Sequence, residues 1–222
     1  MIHRRKILIL SCLLTCSALF VQAQKILSEG TVVYDVTVQT GSKEPKMADM
    51  FDGASGVIYL KGSQSRTEFI SALATFVTIH DNKSGNGVLL REYGTQKLMI
   101  KMAGGDWEKK NRKYDGINFT QTDETKIIAG YKCLKAVAQL KDGTSFTVYY
   151  TPEITTENKD YEYQFKSLDG LPLEYESIVG DVKVKYTASK ISFDPVPIQK
   201  FEIPKSGYRE LTYEESLRGK TN

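Results

Sequence analysis

Apolar and polar residues alternate along most of this chain with the two-residue period of a strand, and no stretch over 56–102 sustains a helical period. Over residues 29–40 the alternation is strict, with Val32, Tyr34, Val36 and Val38 on one face and Asp35 and Thr37 on the other, which predicts a half-buried first strand. Strands are predicted next over 56–61, 63–71, 74–81, 87–93 and 96–102, separated by Gly-, Ser- and Asn-rich breaks. Short strands at such regular spacing indicate a meander, sandwich or barrel. The last of them puts Leu98, Ile100 and Met102 opposite Lys97, Met99 and Lys101, while Phe69, Phe76, Val77 and Ile79 add apolar bulk.

The clearest hairpin spans 127–154, where two runs rich in β-branched and aromatic residues flank Asp142-Gly143. Read as a two-residue type I′ turn, that pair sets Lys141 opposite Thr144 and Val137 opposite Val148. One face then carries Cys133, Val137, Phe146, Val148 and Tyr150, and the other Leu134, Ala136, Ala138, Leu140 and Tyr149. Two apolar faces imply cover on both sides, so the hairpin is expected at the centre of the sheet. Further strands follow, one with Tyr161, Tyr163 and Phe165 as an aromatic face, then 173–179 and 182–193, before an extended end with a short helix or frayed tail from Glu210.

Two stretches depart from the strand pattern. Met47, Met50 and Phe51 recur at i, i+3 and i+4, the spacing that gathers three soft apolar groups on one side of a short helix. Such a helix serves either as a lid over a pocket or as ordinary core packing. The single tryptophan, Trp107, stands beside Lys109, Lys110, Arg112 and Lys113. That cluster suits contact with an anionic surface or a partner; the alternative is a solvated loop whose indole packs on the sheet.

The first 23 residues have the layout of a signal peptide: a basic start at Arg4-Arg5-Lys6, an apolar run to Phe20, and Val21-Gln22-Ala23 before Gln24. Cleavage there leaves one domain, 24–222, placed in the periplasm or at the outer membrane. Cys12 and Cys16 lie in the leader in contexts that fit lipidation poorly. Removing Arg4, Arg5 and Lys6 from 30 basic groups leaves 27 against 27 acidic ones, so the precursor's charge of +3 gives no reason to expect a nucleic-acid partner. Of 3 cysteines and 2 histidines only Cys133 and His80 remain, which excludes an intrachain disulfide and a Cys/His metal site. No nucleophile elbow or phosphate loop is present. Glu174 with Glu176, two apart on one strand face, is the nearest approach to a catalytic acid pair, and such pairs are usually solvated carboxylates. A non-enzyme without a cofactor is therefore expected.

Several phrases resemble known envelope proteins. Residues 127–133 (IIAGYKC), 149–154 (YYTPEI) and 169–174 (DGLPLE) are similar to the GLPGLI-type exported proteins. Lys61-Gly62 with Arg66 and Glu68, and 201–208 (FEIPKSGY), resemble the outer-membrane lipoprotein-carrier (LolA-like) superfamily. The resemblance implies a mainly β fold, a curved antiparallel half-barrel with a few short helices on its concave side, and an apolar ligand such as a lipid or lipoprotein acyl chain. Met47, Met50, Phe51, Phe69, Phe76, Leu98, Ile100 and Met102 are the expected lining. The alternative is an envelope scaffold with a filled core, contacting a protein partner through Trp107, Lys109, Lys110 and Arg112; a hydrolase is a weaker third.

Overall fold

The computed structural model describes residues 24–38, 53–179 and 182–218; Met47, Met50 and Phe51, and the leader, lie outside them. The chain forms β1 (Lys25–Leu27), β2 (Glu29–Val38), β3 (Ser55–Lys61), β4 (Gln64–Ile70), β5 (Ala74–Asp81), β6 (Asn86–Tyr93) and β7 (Gln96–Met102). Helix α1 (Asp106–Asn111) and a 3-10 turn (Arg112–Tyr114) lead into β8 (Asn118–Ile128), β9 (Tyr131–Gln139), β10 (Ser145–Thr151) and β11 (Ile154–Thr156). After a second 3-10 turn (Tyr163–Phe165) come β12 (Leu171–Val179) and β13 (Val182–Ser192), then a third 3-10 turn (Ile198–Phe201), β14 (Arg209–Thr212) and α2 (Tyr213–Arg218).

Among the described residues, twelve strands make one sheet in the order β14-β7-β6-β5-β4-β3-β2-β13-β12-β10-β9-β8. Every neighbouring pair is antiparallel except β14 with β7. The two end strands, β14 and β8, do not pair with each other, so the sheet stays open. It is nevertheless strongly curved. Leu98 on β7 and Tyr175 on β12 line one cavity, although their strands stand seven places apart, roughly 34 Å in a flat sheet at about 4.8 Å per strand. Short helical pieces sit on this concave side, where α1, the second 3-10 turn and α2 contribute Lys110, Gln164 and Tyr213 to the same cavity. The third 3-10 turn lies on the opposite face, where Val196 and Phe201 cover Val77, Ile79, Val88, Leu90 and Met99. It is held there by Arg66, whose Nη1 donates to the Lys200 carbonyl at 3.1 Å, and by Glu29, which accepts from the Val196 N–H at 2.7 Å.

The concave side divides in two. Over β2, β13, β12, β10 and β9 it is filled by Tyr161, Phe165 and Leu168 packed on Tyr34, Val148, Leu173 and Tyr175. The parallel pair of β1 and β11 adds Leu27 and Ile154 to that cluster. Asn158, 2% exposed, fastens the filling segment: its Nδ2 donates to the Ser63 carbonyl at 2.9 Å, and its Oδ1 accepts from Asn82 at 2.9 Å. Gly170, just after this segment, is required by close approach. A Cβ there would lie 2.4 Å from the Thr151 carbonyl oxygen and 2.6 Å from the Tyr150 ring. Gly170→Ala is expected to destabilise the fold by about 1–3 kcal/mol, the usual cost of forced overpacking, read as a lower midpoint in urea denaturation.

Three expectations need correction. The hairpin pairs Val137 with Thr147 and Ala136 with Val148, one residue away from the type I′ register. The Leu140 N–H donates to the Thr144 carbonyl and the Gly143 N–H to the Leu140 carbonyl, with Gly143 at φ 85, a type I turn closed by a glycine bulge. Ala136 and Ala138, rather than Val137, therefore share the buried face with Val148 and Tyr150. The hairpin is also not central, because only β8 lies beyond it at one end of the sheet. Finally, Tyr161, Tyr163 and Phe165 do not form a strand. The Phe165 N–H donates to the Glu162 carbonyl, making a turn that tips Tyr161 and Phe165 into the core instead of pairing them across a ladder.

Candidate functional site

Where the filling segment stops, over β3 to β7, a cavity of about 830 Å³ remains on the concave face. Strand register builds its floor in rows. Gly56, Phe69, Phe76, Arg91 and Leu98 stand opposite one another across five strands, and Ile58, Thr67, Thr78, Leu89, Ile100 and Leu211 form the next row on the same face. Phe69 and Phe76 stack at 5.7 Å, and Tyr93 meets Phe76 edge-on at 5.0 Å. At the filled end the wall consists of Tyr34, Tyr175 and Tyr186, with Tyr175 and Tyr186 stacked at 4.9 Å and Tyr34 edge-on to both. Gly56 makes room for this wall, since a Cβ there would meet the Tyr186 ring at 2.9 Å.

Phe69, Phe76, Leu98 and Ile100 thus line the cavity as the alternation of their strands implies. Met102 does not line it. It is 3% exposed and packs in a small cluster with Leu89, Trp107 and Tyr213 at the end of β7. Trp107 is also corrected: at 5% exposure its indole is buried and cannot serve as a surface contact. Apolar residues every second position on β5 to β7 give α1 a surface to pack on, and the indole stacks on His80 at 4.1 Å and 14°. Lys109 and Arg112 are exposed, whereas Lys110 turns inward to the cavity wall, 5.0 Å above the Trp107 ring.

Charged groups in the cavity are few. Glu162 projects from the filling segment and is hydrogen-bonded by Gln164. Burial raises its carboxyl from 4.5 to about 7, opposed by the positive charge of Lys110. It lines the cavity. Its charge in turn raises the neighbouring tyrosines Tyr34, Tyr175 and Tyr186, secondary to their burial. Arg91 projects from the floor beside Phe76, its guanidinium 4.9 Å from the ring centroid. Neither Arg91 nor Glu162 has a signal in composition. Arg91 is found by parity, because Leu89, Arg91 and Tyr93 share a strand face, but Glu162 is hidden by the false strand reading of its segment.

Other candidate groups are spent on structure. Glu174 is held by Lys126 at 2.6 Å and Lys185 at 3.4 Å, and Glu176 by Lys183 at 2.6 Å, so the two carboxylates face separate lysines. Cys133 is fully buried, and burial pushes its thiol up to about 11, the behaviour of an inert core cysteine. His80 belongs to the Trp107 stack and Cys133 to the main core, so they form no dyad. Among the described residues no helix is long and apolar enough to cross a membrane.

No family model matches the chain, and no curated protein matches it. Among solved structures it is similar to the crystal structure of MucB, with 11% sequence identity and a TM-score of 0.39, over 80% of this chain and 57% of that one. The chain therefore spans little more than half the length of MucB, and the overlap assigns neither a ligand nor a site.

Proposed function

We propose that this protein is a non-enzymatic binding protein of the cell envelope that holds the apolar part of a lipid-like ligand between the open sheet and the short helices on its concave side. The observation that carries this reading is the cavity itself. Its volume falls in the roughly 300–1,000 Å³ range of small-molecule sites, and aromatic and aliphatic side chains make up the larger part of its lining, interspersed with polar and charged groups. A curved sheet that simply packed its core would fill this space, as it does over β9 to β13. The leader-like first 23 residues and the resemblance to exported carriers support export to the envelope. The rival reading, a scaffold with a filled core acting through Trp107 and the nearby cations or through an edge strand, is less favoured because the cavity interrupts the core and the Trp107 indole is buried.

The test is displacement of an environment-sensitive apolar fluorophore by long-chain lipids, comparing wild type with Ile100→Glu on the cavity floor and Ile127→Glu on the exposed edge strand. Ile100→Glu is expected to weaken binding at least tenfold, because an isolated carboxylate on the floor must be desolvated when an alkyl chain covers it. Ile127→Glu is expected to bind as wild type does. Equal binding by the two variants, both folded, would remove the cavity as the site.

A further inference from the structure

Among the described residues, Arg91 has no carboxylate paired with it. Its four in-plane neighbours on the concave face are Phe76 and Leu98 across the ladder and Leu89 and Tyr93 along β6. Its contacts are the Phe76 ring and one long hydrogen bond from Nη1 to the Leu90 carbonyl at 3.4 Å. Guanidinium carries five N–H donors in a planar fork, so one hydrogen bond leaves most of them without a protein acceptor on a side chain that lines the cavity. By contrast Arg66, on the opposite face, is paired with Glu68 at 2.5 Å, and Glu92, next to Arg91 in sequence, points away to Lys97 and Tyr208. Lys110, the other cavity cation, sits toward the filled end, within electrostatic reach of Glu162.

Cations placed among apolar side chains are normally paired, since desolvation is otherwise uncompensated. We infer that Arg91 is the head-group site of the cavity, and that the ligand is a single-chain amphiphile with an anionic carboxylate or phosphate head. This rests on the proposed apolar-ligand reading and specifies its chemical class. A head bound in the Arg91 fork, with Phe76 holding the guanidinium plane, leaves the chain to run over Phe69, Ile58 and Gly56 toward the tyrosine wall. From β6 to β13 is five strand spacings, roughly 24 Å at about 4.8 Å each, an apolar track long enough for an extended alkyl chain. At the far end of that track the cation is Lys110, whose charge already faces Glu162, so an anionic head finds less there than at Arg91.

The experiment compares dodecanoate, dodecyl phosphate and dodecanol by titration calorimetry on wild type, Arg91→Gln, Arg91→Lys and Lys110→Gln, each checked for folding by circular dichroism. Wild type is expected to prefer the anionic ligands over dodecanol by roughly 10- to 100-fold, the usual worth of a hydrogen bond to a charged group. Carboxylate above phosphate, or the reverse, identifies the head class. Arg91→Gln should erase the preference while leaving dodecanol affinity unchanged, and Arg91→Lys should keep part of it. Lys110→Gln should leave the preference intact. Wild type binding all three equally overturns the head-group site and leaves the apolar cavity standing. A preference that survives Arg91→Gln, or is lost in Lys110→Gln, overturns Arg91 as its source. Binding of none of the three overturns both the head-group site and the apolar-ligand reading. Should Arg91→Gln fail to fold, the wild-type preference and the Arg91→Lys and Lys110→Gln arms still decide.

Discussion

Tyr34→Ala is expected to cost about 3–5 kcal/mol of folding stability, the range for truncating a buried aromatic ring, and to lower ligand affinity at the same time. Tyr34 is fully buried at the centre of β2, where the filled half of the concave face meets the cavity. Its ring is edge-on to Tyr175 at 5.6 Å and to Tyr186 at 6.1 Å, and its hydroxyl donates to the Pro172 carbonyl at 2.8 Å. Removing the ring leaves a void under two others that are stacked on each other. Tyr34→Phe keeps the ring and strands only the Pro172 carbonyl, so about 1–2 kcal/mol is expected. Urea denaturation of both variants checks the pair of values. A loss for Tyr34→Ala no larger than for Tyr34→Phe would mean that ring packing here contributes little.

The second large effect is a pH dependence centred on Glu162. In the unfolded chain its carboxyl ionises near 4.5, but in the fold burial keeps the proton on up to about 7. Between those values the folded state binds more protons than the unfolded one, so stability falls as pH rises. The contribution is complete below pH 4.5 and gone above pH 7, a change of roughly 3 kcal/mol at 1.36 kcal/mol per pKa unit. Glu162→Gln is expected to abolish this fall and to be more stable than wild type above pH 7 by a similar amount. His80 acts in the opposite direction. Burial lowers its imidazole below 6.5, against the raising influence of Asp160, Asp81 and Glu108, so its contribution is present above pH 6.5 and is lost as pH falls further. Below pH 6.5 the two slopes therefore oppose each other, so the wild-type fall is expected to be steepest between pH 6.5 and 7, while Glu162→Gln exposes the His80 decline. Thermal unfolding of the two proteins across pH 4 to 8 checks this, and parallel curves would show that Glu162 ionises normally in the fold.

Where local chemistry punctuates the chain, the sequence is legible. Strands β3 to β7 are bounded by turn residues that also mark their observed ends, and the alternation along β7 puts Leu98 and Ile100 on one strand face, which here lines the cavity with Phe69 and Phe76. Legibility fails where two local solutions share one sequence. Asp142-Gly143 suits a two-residue turn and equally a type I turn with a glycine bulge, and the chosen loop moves the register by one residue. The alternation of Tyr161, Tyr163 and Phe165 imitates a strand, but these rings are wanted as core filling, and tertiary burial wins over a ladder. Trp107 misleads for a related reason. Lys109 and Arg112 describe the exposed side of α1 and the turn after it, whereas the indole follows the apolar surface that Leu89, Met102 and Tyr213 form only once the chain is folded. The cavity has no sequence signal of its own, because it is defined by where the filling segment ends.

The most direct measurement of whether the cavity holds an apolar ligand is native mass spectrometry of the protein purified gently from an envelope fraction, with solvent extraction of whatever it carries. The expected result is an adduct of lipid mass that is present in wild type and in Ile127→Glu but absent from folded Ile100→Glu. Wild-type protein that emerges free of adduct and takes up no added lipid or fatty acid would contradict it.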